Sequence, residues 1–164
     1  MAVKPEYRLQ TLLQLRERKK EAAEQHLAAC LKALRTEQER QREMEEELTR
    51  LMNKRKEKMR EYAETAMKGQ MSAADAVSAN VYIERLKELE VAQKHAIEGQ
   101  KQVVAQKQEE VKSAQKSLTD AMQDLKALEK HREKFEDQVK HEQDTKQEES
   151  MDEIAQSIYL NRER

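Results

Sequence analysis

In the second half of the chain, Leu118, Ala121, Leu125, Leu128, Arg132, Phe135 and Val139 recur at steps of three and four. That is the spacing of a coiled-coil seam, which turns one stripe of each helix toward a partner. Upstream the stripe continues less strictly through Tyr82, Leu86, Leu89, Gln93, Ile97, Gln100, Val104 and Val111. A second stripe occupies the first half. It runs through Leu9, Leu13, Arg16, Lys20, Ala23, Leu27, Cys30 and Leu34, then Met44, Leu48, Met52, Arg55, Met59 and Tyr62.

Few residues interrupt these patterns. Pro5 suits a first helical turn, where a missing donor does no harm. Gly69 can take the left-handed conformation that ends a helix, and Ser72 with Asp75 has the spacing of a capping box. The expected fold is all-α: a long antiparallel two-helix coiled-coil hairpin forming a single domain over residues 1–164. Helix 1 covers about 6–67, the turn about 68–72 and helix 2 about 73–162. At 1.5 Å per residue the helices measure roughly 90 and 130 Å.

A short turn makes the helices antiparallel neighbours, so facing residues have numbers summing to about 141. Leu13 then faces Leu128, Leu27 faces Ala114, Leu48 faces Gln93, Met52 faces Leu89 and Met59 faces Tyr82. Leu9 meets Arg132, and Arg16 meets Leu125. The middle is polar, with Gln38 and Gln41 opposite Gln100 and Val103 and Gly99 beside them. This layer reads either as a bend or register-setting device or as a weaker stretch. Helix 1 ends opposite residue 135 or so, which leaves 136–164 as a C-terminal helical overhang. Its end carries Met151, Ile154, Ala155, Ile158 and Tyr159 at helical spacing, an apolar face that its own chain does not cover. Leu12 and Leu15 lie off the seam at the same end.

Composition narrows the function. The 164 residues include 40% charged and 3% aromatic residues, two Gly, one Pro and one Cys, with net charge -1. So little Gly and Pro cannot punctuate a multi-element fold containing strands, and the abundant helix formers match a coiled coil. No apolar run is long enough for a membrane span, and the amino end lacks the apolar core of a secretory signal. Near-neutral charge argues against a general nucleic-acid binder. One cysteine forms no internal disulfide, and Cys30 on the seam reads as a small apolar residue.

No catalytic arrangement emerges. Glycine-rich phosphate loops and nucleophile elbows are absent. His26, His95, His131 and His141 are scattered, and His141 with Asp137 supplies only two metal ligands where three or four are needed. No cofactor or metal is expected. The charge runs Glu45-Glu46-Glu47 and Lys54-Arg55-Lys56-Glu57-Lys58 read as solvated faces. The basic group Arg16, Arg18, Lys19 and Lys20 reads either the same way or as a surface for an acidic or polar ring on a partner.

The chain ends carry a resemblance. The opening Tyr7-x-Leu9-x-x-Leu12-Leu13-x-Leu15-Arg16-Glu17, with Glu21, Ala22 and Leu27-Ala28, resembles the start of the FliJ/YscO family of type III export proteins. Met151-Asp152-Glu153-Ile154-Ala155-Gln156, after a Glu-, Lys- and Gln-rich stretch, resembles that family's carboxyl terminus, the virulence (YscO) branch more than the flagellar (FliJ) branch. The resemblance implies a non-enzymatic cytoplasmic stalk at the inner-membrane face of the secretion apparatus, monomeric when isolated. It would join a hexameric secretion ATPase to an export-gate membrane protein, and some members also bind secretion chaperones. On this reading Leu12, Leu15, Arg16, Ile154, Ile158 and Tyr159 are candidates for the ATPase side. Met59, Tyr62, Tyr82 and Ile83 are candidates for the gate or a chaperone. The alternatives are a self-associating coiled-coil scaffold without an ATPase partner, and the flagellar counterpart. A membrane-surface helix is disfavoured because Asp152 and Glu153 interrupt the apolar tail.

Overall fold

The structure is a computed structural model that describes residues 5–163. It contains two helices, α1 (Gln10–Met67) and α2 (Ala73–Arg162), and no strand among the described residues. They pack against each other as an antiparallel helical hairpin.

The corner is built from local chemistry. Gly69 has φ of 68°, the left-handed conformation that a Cβ disfavours. Its amide donates to the Ala66 carbonyl and the Gln70 amide to the Thr65 carbonyl, both at 3.1 Å. This double bond pattern is the Schellman ending of a helix. Three residues on, the Asp75 amide donates to Ser72 Oγ at 3.1 Å, and the Ser72 amide donates to Asp75 Oδ2 at 3.2 Å. The reciprocal pair satisfies donors that the first turn of α2 cannot use. Hydrogen bonding to the Asp75 carboxylate from the Ser72 side chain, and then from the Ser72 backbone amide, favours the ionised form and lowers the pKa below the usual aspartate value.

The opposite end departs from expectation. α1 begins at Gln10, not near residue 6. Tyr7 leaves helical geometry and turns its ring onto α2, with centroids 5.2 Å from Phe135 and 5.8 Å from His131. Its hydroxyl lies 2.7 Å from His131 Nδ1. Pro5, Glu6 and Tyr7 line a cleft with Arg132, Phe135 and Val139, and Val139 is buried. Cover from within the chain thus reaches Val139, four positions beyond residue 135.

The chain forms two compact units, each with a stretch of α1 packed on a stretch of α2. One comprises the described residues up to Gln25 and those from Lys116 onward; the other comprises His26–Gln115. In the first, Leu13 packs with Leu125 and Leu128, and Leu12 leans on the same cluster. Leu13 is 1% exposed, the most deeply buried large side chain. Arg16 lies across this region and donates from Nη1 to the Asp124 carbonyl at 2.8 Å.

In the second unit, Cys30, Val111 and Ala114 form a cluster with Leu27, Leu31 and Leu34 against it. Nearer the corner, Ala79, Ile83, Leu86 and Ile97 are buried. The polar members of this seam are all partnered. Gln100 donates to the Glu37 carbonyl at 2.9 Å and to Glu37 Oε2 at 2.7 Å. Gln93 donates to the Met44 carbonyl at 2.9 Å. Arg55 Nε donates to Glu90 Oε1 at 2.7 Å. These pairs fall within about one helical turn of the expected register.

Five expected inward placements are corrected, the first being Leu9, which precedes α1 and is 37% exposed. Glu90, not Leu89, is inside: Leu89 is 48% exposed and Glu90 5%. Met59 is largely exposed, while Leu51 and Lys58 hold half-buried positions. The expected facing pair Gln38 and Val103 both point outward; Glu37 takes the inner place on α1, while Val104 keeps the seam position expected of it. The cause is phase. From Ala79 to Val139 the inward positions of α2 alternate steps of four and three without a break, and only Glu90 keeps that alternation between Leu86 and Gln93. Arg55 makes it tolerable to bury a carboxylate there. The pairing also fixes register, because a slip of one heptad would set Glu90 against Leu48 or Tyr62. α2 stays helical through Gly99.

Candidate functional site

The residues singled out from the sequence fall into two groups, one in each unit. In the first unit, α2 continues as a helix past Val139 to Arg162, and every described side chain from Lys140 onward is exposed. Met151 is 68% exposed, Ile154 and Ile158 are each 57%, and Tyr159 is 64%. Leu160, which periodicity did not single out, is 62% exposed. Counting about 100° per residue, Met151, Ile154 and Ile158 point roughly a quarter turn away from the line of Val139. The apolar stripe of the tail therefore does not prolong the hairpin's own seam.

The approach to this stripe is acidic. Glu142, Asp144, Glu148, Glu149, Asp152 and Glu153 stand against Lys140 and Lys146. On α1 of the same unit, Leu15 is 59% exposed beside Arg18 and Lys19, which project into solvent. Leu12 and Arg16 are less free. Leu12 is half-buried on the Leu13 cluster, and the guanidinium of Arg16 is tied to the Asp124 carbonyl.

The second group lies near the corner. Tyr62 and Tyr82 line a shallow hollow with Thr65, Met71, Asp75, Ser78 and Ala79. Met59 is exposed, and its sulfur lies 3.7 Å from Arg55 Nη1. Ile83 is 7% exposed and belongs to the core, so it presents no surface to a partner. Beside Tyr62, Lys58 donates to Glu61 Oε2 at 3.1 Å, which raises the lysine pKa above its ordinary value.

No group of three or more His, Cys, Asp or Glu that could hold a metal ion occurs among the described residues. Cys30 is a buried free thiol whose sulfur lies 3.7 Å from His26 Nε2. No described helix is long and apolar enough to cross a membrane. What the geometry displays is an exposed apolar helix face and a small aromatic hollow.

A coiled-coil helical hairpin with an uncovered helical tail is the class this geometry defines. The chain belongs to the YscO-like protein family, whose pattern matches residues 4–164. That makes it a type III secretion-related protein, in a family of structural secretion components rather than known enzymes. Among solved structures it is similar to CT670 of Chlamydia trachomatis, described as a YscO homolog. The two are 23% identical with a TM-score of 0.80, and the match covers 95% of this chain and 96% of the other. No curated protein gives a significant match.

Proposed function

We propose that this chain is the central stalk of a type III secretion system, coupling a hexameric secretion ATPase to the export gate. The observation that carries the reading is the apolar stripe Met151, Ile154, Ile158 and Tyr159, held on a continuous helix with nothing from its own chain over it. A helix face of this kind is laid into a groove by its partner. The ATPase ring is that partner, and Leu15 adds apolar area from α1 of the same unit. Leu12 and Arg16 act there by holding α1 against α2. Met59, Tyr62 and Tyr82 present the surface for the gate or for a secretion chaperone, while Ile83 supports it from inside. ATP hydrolysis belongs to the ring, and the stalk works at the cytoplasmic face of the inner membrane.

The test is ATPase stimulation. Ile154→Asp with Ile158→Asp should abolish stimulation of the cognate secretion ATPase, while far-ultraviolet circular dichroism stays that of the parent. Both residues are exposed, so the hairpin does not need them. Unchanged stimulation would overturn the assignment of the tail. No stimulation by the parent protein itself would favour the self-associating scaffold. A cognate ATPase from the flagellar rather than the virulence system would place the chain in the flagellar branch.

A further inference from the structure

The exposed tail has a second property, independent of which ATPase it serves: its pattern is complementary to itself when reversed. Gln147, Met151, Ile154, Ile158 and Asn161 follow one another at steps of four, three, four and three. That is a short heptad seam of its own, on a helix that extends to Arg162. In an antiparallel pair with its centre at Ile154, Ile154 meets its own copy, Gln147 meets Asn161, and Met151 lies within one residue of the level of Ile158. Three apolar positions on each helix become covered, and amide side chains close both ends. The flanking positions fit as well. Glu148 and Arg162 each sit one residue after a seam position, and antiparallel pairing places Glu148 of one copy against Arg162 of the other, twice by symmetry.

Parallel pairing is much poorer. It would bring the two acidic stretches from Glu148 to Glu153 to the same level along the pair and leave Arg162 without an acidic neighbour across it. We propose that the tail stripe is a self-association surface, occupied by the tail of a second copy running antiparallel. Its few apolar layers make the pair weak and concentration-dependent. The hairpin remains a complete unit within each chain, so dilution returns the isolated monomer. Pairing buries Ile154 and Ile158, so the dimer holds the tail closed to any other groove.

Single cysteines test this in the full chain carrying Cys30→Ala. Mild oxidation should cross-link Ile154→Cys to itself. Met151→Cys and Ile158→Cys should each cross-link poorly alone and efficiently when mixed. Ser113→Cys, exposed on the hairpin, gives the random-collision level. Self-cross-linking of Met151→Cys and Ile158→Cys as strong as in their mixture would overturn the antiparallel arrangement. Tail cross-linking no greater than that of Ser113→Cys would overturn self-association altogether. In sedimentation, Arg162→Glu should weaken the dimer about fivefold, for two exposed ion pairs lost. Adding Glu148→Arg should restore it, and failure of that rescue would overturn the pairing of these two residues.

Discussion

Replacing Arg55 by leucine removes the partner that a carboxylate almost sealed from water has among the described residues. The Glu90 side chain is 7% exposed and that of Arg55 21%, with their atoms 2.7 Å apart. Breaking a buried ion pair by removing one member costs about 3–5 kcal/mol, because the survivor stays charged and desolvated. Glu90 sits on a two-helix seam rather than in a thick core, so the low end applies and Arg55→Leu should cost about 3 kcal/mol. Glu90→Leu should be milder, about 1 kcal/mol, because the more exposed guanidinium can reach water while its stem stays on the seam. The double variant puts two leucines into a heptad seam. It should lie within about 1 kcal/mol of the parent, since apolar replacement of buried pairs is neutral or favourable. Urea unfolding followed by circular dichroism measures all four proteins, with the slope checked for constancy. Equal losses in the two single variants, or a double variant that loses their sum, would refute the view that desolvation of Glu90 dominates this layer.

The two glycines should respond oppositely to alanine. Gly69→Ala meets no steric obstacle but forces a Cβ into φ of 68°, and should lower stability by about 1 kcal/mol. Gly99→Ala, mid-helix with open space around it, should raise stability by about 1 kcal/mol in the same unfolding assay. Leu13→Ala should cost about 3 kcal/mol, since Leu13 is 1% exposed in the Leu125–Leu128 cluster. Asp75 should titrate below the usual aspartate range by NMR, and Ser72→Ala should raise it only part of the way back, because the backbone amide at position 72 still donates to the carboxylate. Its folded pKa is the depressed one, so its contribution to stability is complete above the ordinary aspartate value and fades as pH falls through the folded value.

The corner was legible because its signals are local. Gly69 and the Ser72–Asp75 spacing act over a few residues, and the bonds they predict are the ones that form. The register followed from that corner: Leu13 clusters with Leu128, and Leu27 packs against the cluster that holds Ala114. Side-chain assignments failed where hydrophobicity and phase disagreed. Leu89 is the greasier residue, but Glu90 keeps the alternation, and its compensation by Arg55 lies 35 positions away. The start of α1 was hidden for the same reason, because Tyr7 is drawn out of the helix by residues more than a hundred positions distant. In the tail, apolar spacing with no partner in the chain was readable, and its exposure is what the structure displays. Tyr82 and Ile83 are neighbours whose inward and outward roles only the seam's phase separates.

The separation between contacting residues bears on how the chain reaches this state. Arg55 and Glu90 are 35 positions apart, Arg16 and Asp124 are 108, and Tyr7 and His131 are 124. The entropy lost on joining two points grows with the logarithm of the chain between them, so contacts near Gly69 come first and those of Tyr7 last. The same order in reverse governs local opening. Amide hydrogens around Leu12 and Leu128 should exchange sooner than those around Leu86, which makes the neighbourhood of the proposed ATPase contact the readiest part of the hairpin to let go.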